Sequence, residues 1–182
     1  MDCSKITKGF VVASCDNLPT GGTGSKVYLF NYADIDRSSS TKTKQTISVI
    51  ALKDGAKGYQ YESFDNSTDG SATLNKGTYV SNYDHQVQLR LFAEDEDARE
   101  FLADAKEARI VAVVQKKGSV EFEVYGWESG LKMSENAYAT KYTDNVAYAP
   151  IFKSDDNSKE SDLPYICSMT EAALNALCQT QS

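Results

Sequence analysis

Histidine is almost missing from this chain: His85 is the only one in 182 residues. Every scheme that needs an imidazole as general base or metal ligand therefore converges on that residue. Its neighbour Asp84 cannot readily orient it, because adjacent strand residues point to opposite faces. A structural histidine is the expectation. Clustered basic charge is lacking too. Net charge is −7 and no window is strongly basic, which argues against a surface that grips nucleic-acid phosphates. It leaves room for a surface that DNA slides past. No apolar run approaches the ~20 residues needed to span a bilayer. Residues 1–5 lack the basic start of a secretory leader, and the apolar run at 10–13 is too short for its core. A cytoplasmic chain is expected. The four cysteines, Cys3, Cys15, Cys167 and Cys178, include no CxxC pair. Free, mostly buried thiols and no metal site follow as expectations.

What is present is strand pattern, densest over residues 83–133. Val87, Leu89 and Leu91 alternate with Gln86, Gln88 and Arg90, the period of a strand with one buried face. The period then changes: Ala98, Phe101, Leu102 and Ala105 mark one face of a helix. Residues 110–114, Ile-Val-Ala-Val-Val, are apolar on both sides and predict a strand covered on both faces. Lys116-Lys117-Gly118 is a hairpin tip. The return strand sets Val120, Phe122 and Val124 against Glu121, Glu123 and Tyr125. Trp127 and Gly130 mark a turn, and residues 131–133 restart the chain.

Elsewhere the pattern predicts strands at 27–30, 46–52, 59–64, 78–92 and 146–152, with a turn or short helical segment at 32–35. Pro150 suggests an edge or a bulge in the last of these. Residues 38–44, 65–77, 134–145 and 154–162 read as polar connections. Residues 169–178 predict a short C-terminal helix, with Ser168 and Glu171 as a capping box. The chain reads as one domain of 182 residues, mainly β with one packed helix (α+β). It has an N-terminal arm at 1–25, an extended loop or hairpin at 53–80, and a C-terminal helix and tail at 168–182.

Three motifs imitate chemistry. Residues 65–76 copy the first half of an EF-hand loop, but Lys76 stands where a bidentate glutamate is needed. A polar hairpin tip is the better reading. Residues 94–97, Glu-Asp-Glu-Asp, with Glu100 and Asp104 beyond, suggest a metal or general-acid site. Acids in the first turn of a helix, with Lys106 and Arg109 at its far end, also match the helix dipole. Residues 21–26 resemble a phosphate loop without its spacing or its following helix. No paired acid–base constellation supports an enzyme, and no cofactor is implied.

Residues 124–133, Val-Tyr-Gly-Trp-Glu-Ser-Gly-Leu-Lys-Met, follow a strand–helix–strand–hairpin. With residues 146–152, 161–165, 15–19 and 27–35 they resemble tail-tube proteins of tailed phages and prophages that infect Bacteroidetes. That resemblance implies a β-sandwich or partial barrel with a helix on its flank. It implies hexameric rings that stack into a tube in the virion tail, assembled in the host cytoplasm. Double-stranded DNA would cross the lumen without specific binding, and the partners would be further copies and other tail or neck proteins, with no membrane. Glu121 and Glu123 are candidates to face the lumen. Tyr59, Tyr61, Tyr79, Trp127, Tyr138 and Tyr142 are candidates for contacts between subunits. A terminator, stopper or connector ring would have similar physics. A non-catalytic carbohydrate-binding or adhesin sandwich is the alternative, and needs an exposed aromatic platform such as Trp127, or Tyr138 with Tyr142.

Overall fold

The computed structural model describes residues 22–62, 64–78, 80–92, 96–117, 121–138, 148–155 and 159–179. These hold eleven strands and two helices. The organising pair is β1 (Thr23–Asn31) and β7 (Arg109–Lys116), antiparallel with Val27 opposite Val114 and Phe30 opposite Val111. Both strands are apolar at consecutive positions, so both faces must be covered. Tyr28, Phe30, Val111 and Val113 enter one core cluster. Val27, Leu29, Ala112 and Val114 enter another on the opposite face. The expectation of a doubly covered strand at 110–114 holds.

The first cluster is closed by Ile47 of β3 (Thr46–Val49), by Ile50, and by Leu174 of α2 (Glu171–Leu177). The second is closed by Val87 of β6 (Ser81–Gln88), Phe152 of β10 (Tyr148–Ser154) and Ala105 of α1 (Glu96–Ala105). All the strands belong to one unclosed sheet. Its path adds β2 (Thr41–Thr43), β5 (Asp69–Lys76), β8 (Phe122–Tyr125), β9 (Leu131–Tyr138) and β11 (Tyr165–Cys167). The order is β2-β3-β11-β8-β7-β9-β10-β6-β5, and β4 (Tyr59–Glu62) pairs only with β1 among the described residues. The chain is thus mainly β with two helices.

β8 and β9 both run antiparallel to β7, β8 opposite Ala112 to Gln115 and β9 opposite Arg109 and Ile110. The turn at 126–130 therefore interrupts one line of chain along the edge of β7. Beyond it, β9 leaves to pair with β10. This departure lets the second half of the sheet fold over the β1–β7 pair.

Several connections expected as loops are strands. Residues 69–76 form β5, paired with β6 along its whole length. Residues 41–43 pair with β3, β9 continues to Tyr138, and β11 was not expected. β2 and β5 are polar strands at the ends of the sheet path; they gain their order from backbone pairing, and their side chains do not alternate in hydropathy, so the period-two signal is missing. The region 53–80 thereby supplies both β4 and β5. Pro150 lies within a strand that is paired on both sides, and a register shift between Ile151 and Phe152 follows it at once. The helix cap also differs: Thr170, not Ser168, accepts from the Ala173 amide at 3.3 Å. Ser168 turns its hydroxyl to the Ile47 carbonyl. Helix α1 ends at Ala105 with no basic residue in its last turn. Arg109 instead stacks on Tyr32 at 4.3 Å.

Phe30 is fully buried, and its ring fills the space beside Gly58 that a Cβ would need. Phe30→Ala should cost about 3–5 kcal/mol, the usual range for an aromatic lost from a packed core. Urea unfolding followed by circular dichroism checks this.

Candidate assembly interface

The polar groups nearest to a reactive constellation surround the turn between β8 and β9. Gly126 and Gly130 have φ of +71° and +74°, a region open to glycine at little cost. They point the amides between them toward one acceptor, Glu160, which is 0% exposed. Its Oε1 accepts from the Ser129 amide and hydroxyl, both at 2.7 Å, and its Oε2 from the Glu128 amide at 2.9 Å. Its backbone is pinned to Tyr83 by a reciprocal pair of hydrogen bonds of 2.8 and 3.1 Å. Glu128 itself points outward, accepting from the Tyr165 hydroxyl at 2.6 Å, from Lys42 at 3.2 Å and from the Ser161 amide at 3.1 Å.

His85 sits beside this turn, also 0% exposed. Its Nδ1 accepts from the Gly126 amide at 3.2 Å, and its Nε2–H donates to the Asp162 carbonyl at 2.9 Å. Both ring nitrogens are therefore committed to backbone, which fixes a neutral tautomer. Tyr125 packs edge-on to it at 5.7 Å. Such a ring cannot take a proton from a substrate without abandoning the fold. Chemically, the cluster clamps the turn and positions the start of β9. The sequence hid it, because Glu160 lies in a stretch that reads as a charged turn.

The residues singled out from sequence scatter. Glu121 is exposed and Glu123 half-buried, with Phe122 and Val124 buried as the alternation requires. Lys116 lies between the two acids, at 3.7 Å from Glu121 and 3.2 Å from Glu123, so this hairpin is mixed in sign. Tyr125, expected on their polar face, is buried against His85. Tyr59 is 45% exposed at the start of β4. Tyr61 turns inward, packs on the second cluster and donates to the Arg90 carbonyl. Trp127 is 6% exposed under the Arg37 guanidinium at 4.0 Å, so it is not available as a contact or a sugar platform. Tyr138 ends β9, paired with Tyr148. Tyr79 and Tyr142 lie outside the described residues. Of the EF-hand-like stretch, residues 65–68 form a turn and residues 69–76 run along β5, and among the described residues no group of three or more His, Cys, Asp or Glu side chains gathers where an ion could sit.

What the structure leaves open is backbone. The sheet path ends at β2 and β5. β5 is eight residues long, and among the described residues no strand pairs with its outer edge. Leu74 on β5 is 54% exposed and Val80, just before β6, is 72% exposed. A long edge with unpaired N–H and C=O groups is a template for another strand. Comparison with protein-family models, with curated proteins and with solved structures finds no match to this chain.

Removing the clamp should be severe. Glu160→Ala strands the Glu128 and Ser129 donors, each costing about 1–3 kcal/mol when buried unpaired, so a loss of roughly 3 kcal/mol or more is expected in chemical unfolding. A pH effect follows from His85. Burial pushes its pKa below the ordinary 6.5, against the opposite pull of Glu160, the Asp162 carbonyl and Glu128. The unfolded chain then binds that proton more readily. The stability contributed by the neutral ring is complete above pH 6.5 and declines as pH falls below it, at up to about 1.4 kcal/mol per pH unit. Glu128 acts in a lower window. Burial alone would raise it, but Ser161, Tyr165 and Lys42 outweigh that and hold it at about 2, below its ordinary 4.5. Its contribution is complete above pH 4.5 and lost toward pH 2. Unfolding free energies from pH 7.5 to 5 should fall in the parent and stay flatter in His85→Gln.

Proposed function

We propose that this chain is a structural subunit that assembles with copies of itself into rings, and by stacking into a tube. The observation that carries this reading is the outer edge of β5. This edge is eight residues long, about every second residue turns its N–H and C=O outward, no strand meets it among the described residues, and Leu74 is exposed on it among Ser, Thr and Asn. It has no proline, no bulge in its pairing with β6, and one lysine at its end. Pairing with a strand of a neighbouring copy satisfies those groups and extends the sheet. At the other end of the path no strand pairs with the outer edge of β2 among the described residues, which gives a second, shorter open side.

The tail-tube resemblance gives this assembly its biological form: stacked hexameric rings in a virion tail, through which DNA passes. A net charge of −7 suits a lumen wall that must not hold phosphates. Glu121 and Glu123 contribute to such a wall only together with Lys116, which lies between them. A neck or connector ring would use the same edges. The carbohydrate-binding alternative is weaker, because Trp127 is buried within the chain.

Negative-stain microscopy and multi-angle light scattering test the reading. The parent chain is expected to form rings or short tubes as concentration rises. Ser71→Lys with Leu74→Lys, which places two charges on the β5 edge, is expected to shift the population to monomer with the fold intact by circular dichroism. A parent chain that stays monomeric at high concentration contradicts the proposal.

A further inference from the structure

Three cations stand side by side across the sheet. Arg109 of β7 is directly opposite Lys132 of β9, and Lys132 is directly opposite Lys153 of β10. Directly opposite residues share a face, and like charges so placed repel one another. Nearby acids do not cancel the row. Asp155 engages Lys132 at 2.8 Å, and Asp84, which feels the charge of Lys153, is taken by Lys159. Among the described residues, no ion pair engages Arg109 or Lys153, and the buried Nε of Arg109 has no hydrogen-bond partner. Arg37 extends the row: its guanidinium and that of Arg109 lie 4.9 and 4.3 Å from the Tyr32 ring. Such a row, in a chain of net charge −7, suits an acidic occupant.

The chain carries a matching row of acid. Asp97, Glu100 and Asp104 fall at i, i+3 and i+7, one exposed stripe along α1. Asp104 is in the last turn, where the macrodipole opposes a negative charge and no basic residue compensates. None of these acids enters an ion pair among the described residues. The dimensions agree as well. From Asp97 to Asp104 the helix rises about 10.5 Å, and from β7 to β10 two strand spacings cover about 9.6 Å.

The two rows cannot meet within one chain. Arg109, Lys132 and Lys153 alternate with Ile110, Leu131 and Phe152, which enter the second core cluster. Helix α1 packs on that same cluster through Ala105 and Phe101. The helix and the basic row are thus on opposite faces of the sheet. We propose that the acid stripe of α1 in one copy docks across Arg109, Lys132 and Lys153 of the next copy. This rests on the self-assembly reading and gives it a second contact, apart from the β5 edge. The two surfaces differ, so the contact repeats head to tail, into a ring where the rotation closes and an open filament where it does not.

Sedimentation velocity of the full chain tests this. Lys132→Glu with Lys153→Glu, or Glu100→Lys with Asp104→Lys, is expected to weaken association roughly tenfold, the combined effect of a few exposed ion pairs. All four reversals in one chain, or the two double variants mixed, are expected to bring association back toward the parent. Parent copies that associate while neither double variant changes that association overturn this proposal alone. Double variants that weaken association with no recovery on combination also overturn it, since the substitutions would then act through the fold. A parent chain that stays monomeric overturns both this proposal and the self-assembly reading.

Discussion

The structure depends on burying the β1–β7 pair on both faces. Neither strand has a polar side to offer water: Tyr28 and Phe30 point one way, Val27 and Leu29 the other. A single layer cannot cover such a pair, so the chain must lay material on each side. On one side it places α2 with residues around Ile47 and Ile50. On the other it swings β9, β10 and β6 across, with α1 at the flank. Each large apolar side chain removed from water contributes about 1.5–3 kcal/mol, and both clusters draw on the same two strands. Destabilising either strand therefore loosens both cores at once.

The swing is made at the turn after β8, and a buried carboxyl group is what holds it. Without Glu160, the amides of Glu128 and Ser129 would be turned into the protein with nothing to accept them. Glu160 is itself positioned by pairing with Tyr83 on β6. The acceptor is thus carried by the part of the sheet that the turn delivers. His85, bonded at both ring nitrogens to backbone on either side, ties the same strand to Gly126 and Asp162. These polar groups serve the geometry of a corner, and every one of them is occupied.

That division explains what could be read in advance. The central stretch was legible because burial leaves a period in the sequence. Residues 110–114 announced a covered strand, and Phe101, Leu102 and Ala105 the inner face of α1. Edge strands leave no such trace. β5, with Asp, Ser, Thr and Asn over its length, reads as a loop until β6 is beside it. The clamp was illegible for another reason. Glu160 meets Ser129 across thirty-one positions of chain, and no local pattern encodes that meeting. Trp127 misled in the opposite sense: a tryptophan in a glycine-flanked turn suggests an exposed contact, but Arg37 covers it.

In the functional reading, the polar, unsignalled parts carry the work. Among the described residues, the sheet ends leave backbone open to another strand, above all along β5. Amide exchange along residues 69–76 as a function of chain concentration tests this most directly. Assembly through the edge predicts that the outward amides of β5 become protected as concentration rises, while those of β7 stay constant. Exchange along β5 that is independent of concentration, with particles nonetheless forming, would contradict the account.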